Sequence, residues 1–208
     1  MIEMLFSNPL LFLTFLIGLL IAIDIHEFAH AWVADKLGDP TPRANGRLTL
    51  NPLAHLDPYG TLALLITSFG WGKPVPIDSY NLENPRKDSA LISLAGPASN
   101  LILAGLLALI LKIPLISQFL NVFIIIFIPI IMINVSLAIF NLLPIPPLDG
   151  SKILVGFLPK DLAYELEDSL NQYRLILLIF ILLPIFGQKS LASIIISPII
   201  ESIINFLI

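Results

Sequence analysis

Residues 9–33, PLLFLTFLIGLLIAIDIHEFAHAWV, form an apolar run long enough to cross a bilayer, and that run carries His26, Glu27 and His30. A hydrocarbon core needs roughly 20 residues of helix to span it. Within it every backbone polar group must be satisfied internally, so an isolated run of this kind has to be helical. Four more apolar segments follow, at about 91–111, 119–143, 175–186 and 191–208. Of the 208 residues 57% are hydrophobic and 12% charged, against about 25% charged in an ordinary soluble domain. The chain is therefore expected to be an α-helical polytopic membrane protein of a single domain, with five spans, the last two short ones pairing as a C-terminal hairpin over about 174–208. A sixth span would require the run TLALLITSF, residues 61–69. That run is too short to cross and reads as a re-entrant piece or a short helix. The N-terminus lacks a basic region and a small-residue cleavage site, so the first segment reads as a retained helix.

Between the first and second spans lie about 55 residues containing RLTLNPLAHLDPYGTL and FGWGKPVPID. Alternation around Arg47–Leu50 and the Pro- and Gly-bounded GKPVPI predict short strands. Open strand edges cannot face lipid, so this β/loop region is placed at the membrane surface or in a protein-lined cavity. Nine of the eleven Lys and Arg residues flank it or the segment after the third span: Lys36, Arg43, Arg47, Lys73, Arg86, Lys87, Lys152, Lys160 and Arg174. The positive-inside rule then puts both regions in the cytoplasm and the N-terminus outside. The net charge of −4 suggests no nucleic-acid partner. With no cysteine, a metal would have to be held by His, Asp or Glu. The oligomeric state is not set by the sequence.

His26 and His30 are four residues apart, which on a helix stacks both imidazoles on one face. Two such imidazoles can chelate one divalent ion, and Glu27 beside them can reach a water on it; this is the HExxH arrangement of zinc hydrolases. Ionisable side chains inside a span point to function. A polar cluster pairing with Asp24 or with other helices is the bland alternative. A catalytic zinc keeps three protein ligands and one open position, and the third ligand is sought among His55, Asp57, Asp149 and Asp24. Asp24 lies two residues before His26 and points to another face. Asp149 stands in NLLPIPPLDG, residues 141–150, where three prolines prevent a regular helix at a depth comparable to the histidines, and it is favoured. A membrane metal transporter or sensor is opposed by the spans 91–111 and 119–143, which hold no Asp, Glu or His. An inactive scaffold for transmembrane segments is opposed by the presence of Glu27 together with both histidines and Asp149.

HEFAH, LAGPASN and NLLPIPPLDG, in this order in three successive apolar spans, together with GRLTLNPLAHLDPYGTL and FGWGKPVPID, resemble the site-2 protease family of intramembrane zinc metalloproteases, in its compact prokaryotic form. The match covers about residues 15–155. It implies a three-helix catalytic core within about 9–158, and one Zn2+ per chain held by His26, His30 and Asp149. It also implies Glu27 as catalytic base, a transmembrane protein as substrate, and a place in a prokaryotic cell membrane with the active site towards the cytoplasm. The third motif reads PPLDG where some members have NPDG, and no PDZ-like insertion separates the motifs. Asn141 and Asn100 are candidate oxyanion or substrate-positioning groups, each with interhelical hydrogen bonding as its alternative. His55 is a candidate second contact or extra ligand near the metal. Gly96 is expected to allow close helix approach, and Pro97 to sit near a span start. Trp71 reads as an interfacial anchor or as part of a stretch pairing with an unwound substrate.

Overall fold

A computed structural model describes residues 2–67, 70–113, 120–184 and 189–208. Among these residues run ten α-helices: α1 (Ile2–Ser7), α2 (Pro9–Lys36), α3 (Thr41–Ala44), α4 (Pro52–His55), α5 (Pro58–Thr67), α6 (Pro85–Leu111), α7 (Leu120–Asn141), α8 (Asp149–Phe157), α9 (Lys160–Leu182) and α10 (Leu191–Leu207). Three of them, α2, α6 and the 124–141 part of α7, are long and apolar enough to cross a membrane. They pack on one another in all three pairings and form the three-helix core.

Local chemistry sets the ends of α2. Asn8 accepts a hydrogen bond from Leu11 N at 3.1 Å and Pro9 occupies the first helical position, the two commonest N-terminal signals. At the other end Gly38 turns with φ of +101°. Asp39 N then donates to Ala34 O at 3.0 Å and Gly38 N to Asp35 O at 3.3 Å, a closure that uses up the last free carbonyls. Helix α6 begins at Pro85, six residues earlier than the apolar pattern suggests, because the polar turn PRKDSA belongs to the helix. Pro97 accordingly lies well inside α6 rather than near its start. A proline there is tolerated where neighbouring helices satisfy the freed backbone groups.

Lipid is as apolar as leucine, so these helices associate through close packing and polar contacts rather than through hydrophobic burial. Ala22, Ala31, Ala34 and Ala104 are fully buried. A Cβ at Gly18 would lie 3.0 Å from Ile133 Cδ1 and 3.3 Å from the Ile130 backbone, so α2 and α7 meet where one side chain is missing. Asn100 of α6 donates to Ala22 O of α2 at 2.9 Å and to Asn134 Oδ1 of α7 at 2.8 Å, joining the three helices through one amide.

The segment between α2 and α6 differs from expectation. It contains no strand among the described residues; Leu56 and Gly72 form an isolated antiparallel bridge. Pro74 and Pro76 remove alternate N–H donors from KPVPI, so this stretch is extended but cannot build a ladder. The 61–69 run forms most of α5, with residues 68 and 69 outside the described part. The two ends of the segment are tied together by the fully buried Asp39, which accepts from Thr41 N (3.0 Å), Asp78 N (2.8 Å) and Asn81 Nδ2 (2.9 Å).

After α7 the chain turns through Leu142–Leu148 without regular helix and starts α8 at Asp149, and α8 packs on α6. The C-terminal pair is present as α9 against α10, with α10 also on α7. Only α2, α6 and α7 meet the length and hydropathy of a span among the described residues. Helix α9 opens with KDLAYELEDSLNQYR and turns apolar only from about 175. The expected fourth segment is the apolar end of this amphipathic helix, and its last residues, 185 and 186, lie outside the described part, as does Phe119 at the start of the third.

Candidate active site

One turn of α2 carries the chemistry, and two other elements close on it. His26 and His30 are 5% and 7% exposed. Asp149, at the first position of α8, brings Oδ2 to 3.0 Å from His26 Nε2 and 3.3 Å from His30 Nε2. These three residues offer ligand atoms within 4.8 Å of one another, and no other group of three His, Asp or Glu side chains does so among the described residues.

The hydrogen bonds behind the rings decide which nitrogen faces the site. His26 Nδ1 is 2.7 Å from Asn100 Oδ1, an oxygen that can only accept, so Nδ1 carries the hydrogen. Asn100 is itself fixed, because its amide nitrogen is used by Ala22 O and Asn134 Oδ1. Asn134 Nδ2 in turn donates to Ile130 O at 2.8 Å. His30 Nδ1 donates to Ile92 O at 2.7 Å. With Nδ1 engaged behind each ring, both Nε2 atoms face the place that Asp149 Oδ2 also faces. As neutral imidazoles they offer two lone pairs beside a carboxylate oxygen, a donor set that could hold a cation. Metal-ligating histidines are commonly held from behind in this manner.

Gly96 completes the fit. A Cβ there would stand 2.5 Å from His30 Nε2 and 2.6 Å from His26 Nε2. Only a residue without a side chain leaves the space in front of both nitrogens open. The donor set, two imidazoles and one carboxylate with room beside them, suits a three-ligand zinc centre.

Glu27 lies on the same turn, next to His26. Its Oε2 accepts from Val75 N at 3.2 Å, so the extended KPVPI stretch lies against it. Other residues singled out in the sequence fall elsewhere. Asn100 stands behind His26 and is fully buried, with its Oδ1 2.7 Å from His26 Nδ1. Asn141 is half-buried and donates one amide hydrogen to Leu137 O at 3.0 Å. His55 is outside the ligand group. Its Nε2 is 2.9 Å from Thr49 O and 3.5 Å from Asp24 Oδ1, and its Nδ1 is 3.3 Å from Arg47 Nη2. Asp57 caps α5 through Gly60 N at 2.7 Å, as its DPYG turn implies. Trp71 is half exposed. The sequence reading missed Asn134, whose only signal was an amide in an otherwise apolar span, and the burial of Arg47, which it counted only among the loop cations and which is 3% exposed.

A family model described as "Peptidase family M50" matches residues 116–183. A Bacillus subtilis (strain 168) protein named "Putative zinc metalloprotease YwhC" is 39% identical over 178 residues, covering 81% of this chain and 80% of that one. The chain belongs to peptidase family M50, the site-2 protease family. A relative named Rip2 from Mycolicibacterium smegmatis, with the same metalloprotease designation, is 33% identical over 181 residues, covering 83% of this chain and 68% of that one. The protein of Mycobacterium tuberculosis (strain H37Rv) with that name is 31% identical over 189 residues, at 83% and 67% coverage. No solved structure matches the chain. This member of family M50 is a zinc metalloprotease and an integral membrane protein.

Proposed function

We propose that this protein hydrolyses peptide bonds within or beside the transmembrane segments of membrane-protein substrates, with His26, His30 and Asp149 as zinc ligands and Glu27 as the base. The observation that carries the reading is the convergence of two imidazole lone pairs and one carboxylate oxygen, 3.0 and 3.3 Å apart, on the helix turn that also holds Glu27. Bound there, zinc supplies a Lewis acid and a water whose pKa is lowered to about 7. Glu27 takes the proton of the attacking water and hands it to the leaving amine. Asn141 has a second amide hydrogen beyond the one given to Leu137 and offers it to the substrate carbonyl as charge develops there. A helical substrate hides its amides, so it must unwind locally before it can be cut, and the extended stretch around 71–77, which can offer carbonyl acceptors although it cannot build a full ladder, is the proposed surface for it to meet.

The whole chain acts as one peptidase domain, with its catalytic core at about 9–158 and its C-terminal helices packed on that core. The bias of Lys and Arg towards the two segments beside the site supports a position on the cytoplasmic face of the membrane, that of a prokaryotic cell in this reading. The test uses purified full-length protein and a synthetic single-span transmembrane peptide in detergent. Wild type holds one zinc per chain and cuts the peptide. Glu27→Gln keeps its zinc and loses cleavage by about 100-fold or more. Asp149→Ala loses the zinc. Full cleavage by Glu27→Gln, or full zinc in Asp149→Ala, refutes the assignment.

A further inference from the structure

A second group of buried polar residues is linked to Glu27 through the main chain of residues 73–75. Arg47, His55 and Asp24 are 3%, 0% and 8% exposed. Arg47 Nη2 donates to Lys73 O and, at 3.3 Å, to His55 Nδ1. His55 Nε2 then donates to Thr49 O at 2.9 Å. Main-chain contacts complete the fastening: Lys73 N donates to His55 O at 2.8 Å, and Leu56 pairs with Gly72. The fastened piece is Gly72-Lys73-Pro74-Val75-Pro76. Its two prolines have fixed φ and no N–H, so the piece is stiff, and Val75 supplies its sole amide donor between Lys73 and Ile77. That donor is the one that meets Glu27 Oε2 at 3.2 Å. The other carboxylate oxygen, Oε1, faces Gly72, where an added Cβ would be 3.8 Å away.

A buried guanidinium with this surrounding needs a reason. Its Nε and Nη1 have no hydrogen-bond partner, and such groups are expensive to leave unpaired. Burial lowers the Arg47 pKa, while the charge of Glu27 works in the opposite direction; an arginine stays protonated in either case. A neutral residue of similar shape would fill the same space without the desolvation penalty. What it could not do is hold Lys73 O and stand as a positive charge near the base.

We propose that Arg47, through His55 and the Lys73–Val75 strap, is a positioning residue for Glu27. The strap presents Val75 N–H to Oε2 and leaves Oε1 for the attacking water. This rests on Glu27 being the base, and the experiment separates the two ideas.

Wild type, Glu27→Gln, Arg47→Met and Arg47→Lys are compared as full-length protein on the same transmembrane peptide. Zinc content, KM, kcat and hydrogen exchange of the Val75 amide are read for each. Arg47→Met is expected to keep one zinc per chain and a KM within about twofold, and to lose about 10–100-fold in kcat, the size of a misplaced catalytic group. Arg47→Lys recovers part of that kcat, since one donor can still reach Lys73 O. The Val75 amide exchanges faster in Arg47→Met and close to wild type in Arg47→Lys. If Arg47→Met does not fold, His55→Gln, which keeps a donor and an acceptor in place, is expected to show the same kcat-only loss in milder form. Wild-type kcat in Arg47→Met while Glu27→Gln is inactive overturns this inference alone. A fall in zinc content parallel to kcat makes Arg47 merely structural and also overturns it. Full cleavage by Glu27→Gln removes the base assignment itself.

Discussion

The two sides of the HEFAH turn are held by different kinds of structure. Behind the imidazoles, membrane helices do the work: Asn100, Asn134, Ala22 O and Ile92 O form a closed set in which each amide and ring hydrogen named has an acceptor. Beside Glu27, the work falls to a loop strap, one main-chain donor and an arginine with two unpartnered nitrogens. A helix satisfies its own backbone and can spend its side chains on orientation. A proline-rich strap cannot, so it needs outside fastening. The proposed metal ligands are thus preset by the core, whereas the geometry of the proposed base depends on a segment that the core does not itself hold.

The comparison is tested most severely by two glycines. An alanine at position 96 puts its Cβ 2.5 Å from His30 Nε2, a proposed ligand atom, on a core helix. Gly96→Ala is expected to abolish stoichiometric zinc binding, and with it cleavage, by more than about 100-fold. At Gly72 the same Cβ meets Ile23 Cγ2 at 3.1 Å and His55 O at 3.2 Å, which a loop can relieve by a small shift. Gly72→Ala should keep its zinc and lose only kcat. Metal analysis of the two variants decides the matter; equal zinc in both would mean that the core does not preset the ligands.

A smaller effect is expected one step behind the ligands. Asn100→Leu removes the acceptor for His26 Nδ1 and frees the ring to change tautomer. It should weaken zinc binding by about 10–100-fold, the usual size for such supporting groups. Asn134→Leu leaves Asn100 with its bond to Ala22 O, so its loss should be smaller than that of Asn100→Leu. Chelator competition ranks the two, and the reverse order would show that Asn134 acts other than through Asn100.

How much of this could be read beforehand follows the same division. His26, Glu27 and His30 were legible because helical spacing is fixed and charge in a span is rare. Asp149 was legible because prolines force an unwound turn at the right depth. The family's motif order then gave the three-helix core, and family membership and zinc dependence agree with it. The strands did not appear, because alternation in RLTL and KPVPI is a local signal that prolines 74 and 76 cancel by removing ladder donors. Helix α9 was only half seen, since a hydropathy window finds its apolar end and passes over the charged turns that continue the same helix. Asn100 was seen as polar, with interhelical hydrogen bonding as one of two readings, and the structure shows such bonds to α2 and α7: its depth in α6 is readable, while the face it turns to α2 depends on how the helices pack. Arg47 was invisible as a buried group, because no sequence pattern distinguishes a cation that folds inward from one that stays in water.

The weakest perturbation lies farthest from the chemistry, at the point where the strap's segment begins and ends. Asp39 is fully buried. Burial alone would raise its pKa, but hydrogen bonds from Thr41, Asn81 and Asp78 outweigh this and hold the carboxyl below the usual range. A depressed folded pKa means that the charged form is the one favoured by folding. Its contribution is therefore complete above the unfolded value of about 3.9 and is lost as pH falls through the lower folded value. Asp39→Ala should open the junction between residues 39 and 81 by about 2 kcal/mol, roughly a 30-fold loss of exchange protection at the Thr41 and Asp78 amides. Zinc content should stay at one per chain. At a pH below the folded pKa of Asp39, wild type and variant should exchange alike at these amides. If Asp39→Ala instead releases zinc, the loop and the metal centre are coupled through more than Glu27, and the division between a preset core and a fastened strap does not hold.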